Sequence, residues 1–258
     1  MALFLYHLTI LLVVLHTCTA EDPSWNFCNI NKNITSTHMS SNIDNLLAKL
    51  VSETSLNGFT SLSYGTGVDR VYGLAQCRGD VINSKECFSC IKDASTQIQQ
   101  RCPNQADARI VFEYCFLRYD SHDFIGELDT SYGIIYYNVA NVTDPNAFEK
   151  DLGALMDKIT AEALVNTNGG FGKGKTKLSP LITLYALVQC TRDLSKLSCA
   201  QCLATAIGDF ATVCQYKKGC RSIYSSCYAR YELYPIFFPV GSRKTMDDTA
   251  YSRLLVYP

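Results

Sequence analysis

Histidine is scarce in this chain of 258 residues: there are four, and two of them, His7 and His16, lie in a leading apolar stretch. The other two, His38 and His122, stand in no nucleophile pattern, which leaves hydrolytic chemistry without its usual general base. No spacing of carboxylates argues for the paired-acid alternative. An excess of one charge is missing as well. Lysine plus arginine number 23 against 24 acids, a formal net charge of -1, so no general affinity for nucleic acid or other polyanions is expected. Beyond residue 20 no apolar run approaches the ~18 residues of a membrane span, so no membrane anchor is expected. Neither Cys87-Phe-Ser-Cys90 nor Cys199-Ala-Gln-Cys202 holds a proline or glycine that would tune a reactive thiol. These gaps point away from an enzyme, and no catalytic residue, metal or cofactor is expected.

What is present begins with Leu3 to Leu15, an apolar run followed by Cys18-Thr-Ala20, where small residues suit signal cleavage. Residues 1–20 therefore read as a secretory signal, and residues 241–258 as a polar C-terminal tail with no lipid-anchor pattern. The mature chain should be secreted and extracellular, in the apoplast. Cleavage would leave twelve of the thirteen cysteines, six in each half. In an oxidising compartment such a count reads as a disulfide framework, ahead of zinc or redox sites.

A shift of 112 residues places Cys87, Cys90, Cys102 and Cys115 on Cys199, Cys202, Cys214 and Cys227. Arg109 then falls on Arg221, Arg118 on Arg230 and Asp120 on Glu232. Upstream the register slips by one, so that Tyr72 to Cys77 matches Tyr185 to Cys190. The chain is a tandem duplication. The expected domains are 21–125 and 134–240, joined by a linker at 126–133. Apolar spacing predicts helices over 41–54, 84–100 (with Ser84 as N-cap), about 148–163 and 194–210. Strands are expected at 59–64, 70–77, 109–118, 134–138, 175–178, 182–190 and 221–233. Each half is then an α+β unit, an antiparallel sheet packed with two helices and stapled by three bridges.

Several local patterns invite a sharper reading. Asn33-Ile-Thr and Asn141-Val-Thr are glycosylation sequons. Gly169-x4-Gly174-Lys175-Thr176 matches the phosphate-loop letters, but a helix precedes it and Pro180 follows, so a plain glycine-rich loop is expected. Arg78-Gly-Asp80 resembles an adhesion tripeptide, yet only its aspartate recurs in the second half, which favours a turn carboxylate. The pairs Arg109/Asp120 and Arg221/Glu232 read first as surface ion pairs, with groups that grip sugar hydroxyls as the alternative.

The spacing Cys190-x8-Cys199-x2-Cys202, with Cys214 and Cys227 beyond, resembles the plant cysteine-rich repeat secretory family of ginkbilobin-like, salt-stress-response/antifungal domains. The resemblance spans about residues 25–240. It implies bridges Cys28–Cys102, Cys77–Cys87 and Cys90–Cys115 in the first copy, and Cys190–Cys199 and Cys202–Cys227 in the second. Cys214 then lacks the partner that Cys28 gives Cys102, and Cys220 is the expected substitute. The family's mannose site implies Asn29, Arg109 and Asp120 in the first copy, and Asn138, Arg221 and Glu232 in the second. The implied activity is a defence or stress role by binding mannose-type glycans or fungal cell-wall polysaccharide. The alternative is an interaction module for receptor-like kinase ectodomains.

Overall fold

Met39, Ile43, Leu46, Leu47 and Leu50 recur at helical spacing and are buried, which makes Thr37–Asn57 helix α1. Ser36 caps it by accepting from the Met39 amide, and Gly58 stops it in the left-handed region at φ 77°. The computed structural model describes residues 22–82, 85–238 and 250–256. The expected signal at 1–20 and the Ser84 cap lie outside these residues.

In the first copy the strands are β1 (Trp25–Cys28), β2 (Phe59–Tyr64), β3 (Val71–Cys77), β4 (Asp107–Val111) and β5 (Cys115–Asp120), with α2 over Lys85–Arg101. In the second copy β6 (Gly133–Asn138), α3 (Pro145–Ala163), β7 (Phe171–Lys177), β8 (Thr183–Cys190), α4 (Lys196–Thr212), β9 (Cys220–Tyr224) and β10 (Cys227–Glu232) repeat that order. Strand β11 (Tyr251–Val256) is an addition. The two sheets run β1-β4-β5-β3-β2 and β11-β6-β9-β10-β8-β7, antiparallel throughout.

Three expectations change. The single strands predicted at 109–118 and 221–233 are each a hairpin, turning at Phe112-Glu113-Tyr114 and at Ser225-Ser226. Part of the expected tail is β11, paired along β6 from Tyr251↔Asn138 to Val256↔Gly133. The glycine-rich loop is confined to Gly169-Gly170, and the strand expected at 175–178 begins earlier, as β7 from Phe171. Its Gly172 and Gly174 lie so close to α3 that an added Cβ would meet Ile159 O at 1.9 Å and Ile159 Cγ2 at 2.8 Å. Glycine there serves helix–sheet contact rather than phosphate.

Each copy encloses its own apolar core between one face of its sheet and its two helices. Cysteines three apart on a helix reach adjacent strands: α2 is stapled to β3 by Cys77–Cys87 and to β5 by Cys90–Cys115, and Cys77 and Cys115 are direct cross-strand partners. Cys190–Cys199 and Cys202–Cys227 do the same for α4, β8 and β10. Cys28–Cys102 and the short Cys214–Cys220 complete the set. All six bridges are internal to a copy, each contributing about 2–5 kcal/mol.

The other faces of the two sheets meet. Trp25, Val111, Ile134 and Ile223 are buried together, with Phe27, Phe116, Tyr132, Tyr136 and Tyr228 around them. Beside them Gln76 Nε2 donates to Cys190 O (2.8 Å) while its Oε1 accepts from Arg192 N (2.8 Å). Gln189, its counterpart, donates to Cys77 O (3.3 Å) and accepts from Gly79 N (3.1 Å). The copies are thus joined reciprocally, as in an isologous dimer.

Candidate functional site

In the hairpin β4–β5, Arg109 lies opposite Arg118 and Asp107 opposite Asp120, so these four side chains share the face turned toward the other copy. Asn29 follows β1 and turns to the same place, its Nδ2 donating to Asp107 Oδ2 (2.9 Å). Asn29, Arg109 and Asp120, the three residues implied for the first copy, line one open cavity of about 320 Å³ together with Lys32, Asp107 and Asp129. Lys32 Nζ reaches Asp120 at 3.0 Å and the His122 amide donates to the same carboxylate, also at 3.0 Å.

Arg109 is almost fully committed. It donates to Asp129 Oδ2 (2.6 Å), to Asp107 Oδ1 (3.3 Å) and to Ser225 Oγ of the opposite copy, and lies over the Phe27 ring. Arg118 holds the same Asp129 oxygen at 3.0 Å and lies over Phe124. Burial pushes the Asp129 carboxyl up, but Arg109 and Arg118 outweigh it and hold it below the usual carboxylate range. Burial, and then the charge of Arg109, lower the Arg118 guanidinium.

The second copy uses the same frame differently. Arg221 faces Arg230 across β9–β10. Their shared carboxylate is Glu113, from the turn of the first copy, at 3.1 Å from Arg221 and 2.9 Å from Arg230. Glu113 and Ser225 are 112 residues apart, so each copy sends the same turn position to the other's arginine pair. Burial raises the Glu113 carboxyl, yet Arg230, Arg221 and Arg78 bring it down to about 2.

Glu232 accepts from Arg230 Nε (3.2 Å) and from the Tyr251 hydroxyl on β11 (2.6 Å), and burial keeps its pKa raised. Asn138 turns its Oδ1 back to the Ala140 amide (2.9 Å). The second set, Asn138, Arg221 and Glu232, is spent on internal partners. One exchange explains the differing acids. Gly219 stands where the first copy has Asp107, and a Cβ there would meet Glu232 Oε2 at 2.0 Å. The longer acid fills the space that Asp107 takes beside the shorter Asp120.

Elsewhere, Arg78 and Asp80 of the adhesion-like tripeptide bind each other at 2.6 Å with both side chains 2% exposed, which fits the turn-carboxylate reading. The sequon asparagines are exposed and sit in equivalent bridges: Asn33 pairs with Gln105 and Asn141 with Lys217, the two partners being 112 residues apart. Sequence reasoning passed over Lys32, Asp107, Glu113, Asp129 and Tyr251. The only available signal was an acid opposite a paired arginine, and it does not recur between the copies.

A family model described as salt stress response/antifungal matches residues 27–122 and 137–234. The chain is 56% identical over 242 residues to cysteine-rich repeat secretory protein 55 of Arabidopsis thaliana, covering 92% of this chain and 91% of that one. It is 38% identical over 222 residues to an antimicrobial ginkbilobin-2-like protein of Castanea crenata, covering 86% and 91%. The crystal structure of the tandem DUF26 ectodomain of the Arabidopsis thaliana cysteine-rich receptor-like protein PDLP8 matches with a TM-score of 0.71 at 30% identity. That match covers 83% of this chain and 98% of the ectodomain.

Proposed function

Because this chain belongs to the plant cysteine-rich repeat secretory family, with two salt stress response/antifungal (DUF26) domains in tandem, we propose that it is a non-catalytic extracellular protein that binds a mannose-type glycan in its first copy. The observation that carries this reading is the convergence of Asn29, Arg109 and Asp120 on one open cavity of about 320 Å³. Its walls mix donors, acceptors and the rings of Phe124 and Tyr132, the combination a sugar needs for its hydroxyls and its apolar face. Arg109 acts mainly by fixing Asp107 and Asp129, and Asn29, Lys32 and Asp120 meet the ligand. The second set is closed by its internal partners, with Arg221 tied to Glu113 of the first copy, so one site per chain is expected. The antimicrobial label of the chestnut relative supports a defence role, exerted on fungal walls.

Calorimetry of the secreted, oxidised protein with mannan oligosaccharides tests this. Binding near one equivalent is expected, weakened about tenfold in Asn29→Ala, the loss of a hydrogen bond or two, and unchanged in Glu232→Gln. Absence of any mannose-type binding would overturn the site. The closed second set favours one other reading, an interaction module that presents its outer surfaces to receptor ectodomains. That reading predicts partner binding indifferent to Asn29→Ala.

A further inference from the structure

Strand β7 reads Phe171-Gly-Lys-Gly-Lys-Thr-Lys177 and forms the outer edge of the second sheet. Its two inner glycines face α3, so Lys173, Lys175 and Lys177 share the opposite face, successive ammonium stems about 6.7 Å apart along the strand. Lys175 and Lys177 are exposed and have no ion pair among the described residues, while Lys173 makes only a loose contact to Asp80 at 3.8 Å. Aromatic rings border the row. Lys173 Nζ lies 5.3 Å from the Phe237 ring and 6.0 Å from that of Phe171, and Phe237 meets Tyr185 edge-on at 5.6 Å. Tyr185 is the direct cross-strand partner of Lys175.

Lysine on an edge strand commonly guards against sheet-to-sheet pairing. The first copy supplies an internal control. Its edge strand β2 pairs Phe59 with Gln76 as β7 pairs Phe171 with Gln189, which places Ser61, Ser63 and Gly65 where the lysines stand. The fold keeps that edge without any lysine, so the row is not a requirement of the architecture. A net charge of -1 for the whole chain hides this local surplus.

We propose that the lysine face of β7 binds an extended acidic polysaccharide, a polymer of uronic acids, with ammonium groups on its carboxylates and Phe171, Phe237 and Tyr185 against its sugar rings. The strand is fixed by its pairing with β8 and by the contact of Gly172 and Gly174 with α3, so the spacing of the cations along the backbone is set before the ligand arrives.

Titration of the full secreted chain with a de-esterified oligogalacturonide, beside neutral mannan, tests the proposal. Binding is expected to weaken with added salt and to fall about tenfold in Lys175→Gln with Lys177→Gln, the scale of a few exposed ion pairs. It should persist in Asn29→Ala. Loss of mannan binding alone would overturn the cleft assignment and leave this one standing. No oligogalacturonide binding, or binding unchanged by the lysine substitutions, would overturn the acidic-polysaccharide site. Equal affinity for duplex DNA or anionic vesicles would do so too, since charge alone would then suffice. Self-association of the glutamine variant without any change in sugar binding would return the lysines to edge protection.

Discussion

Glu113 stands among three guanidiniums, Arg78 at 2.7 Å, Arg230 at 2.9 Å and Arg221 at 3.1 Å. Its side chain keeps 24% exposure, but its carboxylate lies between these donors. A folded pKa of about 2 lies below the ordinary 4.5, so the fold favours the ionised form. That stability is fully present above about 4.5 and is lost as pH falls toward 2. Its size is about 3 kcal/mol for a shift of this extent. Glu113→Gln keeps the shape and removes the charge. It should lower stability at neutral pH by about 3 kcal/mol and flatten the acid limb in urea unfolding measured against pH. Coincident acid limbs in both proteins would assign that limb to other carboxylates. The duplication made Arg109, Arg221, Asp120 and Glu232 visible because they recur. Glu113 and Asp129 do not, since Ser225 stands opposite one and the other lies between the copies, so a comparison of repeats passes over the carboxylates that occupy both arginine pairs.

At the scale of elements, the helices and the strands β2, β3 and β8 were legible because each keeps a clear apolar period. The hairpin turns were not. Phe112-Glu113-Tyr114 has no glycine, proline, asparagine or aspartate, and residues that favour strands run straight through it. Strand β1 has only four residues and β11 lies in a stretch whose overall composition reads as a polar tail; both take their identity from partners β4 and β6, which no local pattern records. In the first half of β7 the glycines suggested a loop ahead of the strand expected at 175–178, whereas their cause is contact with α3. This contact predicts opposite outcomes for two glycines. Gly172→Ala would force a Cβ to within 1.9 Å of Ile159 O and should cost about 1–3 kcal/mol or more by parting strand from helix. Gly153→Ala, in α3 with open space around its new methyl, should stabilise by about 0.5–1 kcal/mol. Thermal melts of the two variants give the comparison, and shifts of the same sign would reject the packing account of β7.

At the scale of the whole molecule, every disulfide among the described residues is internal to a copy, so beyond the connecting chain the union of the copies rests on noncovalent contact. The repeat pattern displayed Gln76 before Cys77 and Gln189 before Cys190 without indicating what they join. An amide side chain satisfies a donor and an acceptor at once, and here each glutamine does so for the other copy's backbone. Removing one leaves two peptide groups without a partner in a buried interface, a loss of about 1–3 kcal/mol for each unmet group. With both intact, the copies should unfold in one cooperative transition, because neither can lose its partner face without exposing Trp25, Val111, Ile134 and Ile223. Gln76→Ala combined with Gln189→Ala should separate that transition into two in scanning calorimetry, while all six bridges keep each copy folded on its own. A single undivided transition in the double variant would mean that the aromatic cluster couples the copies unaided, and the glutamines would then set only their register.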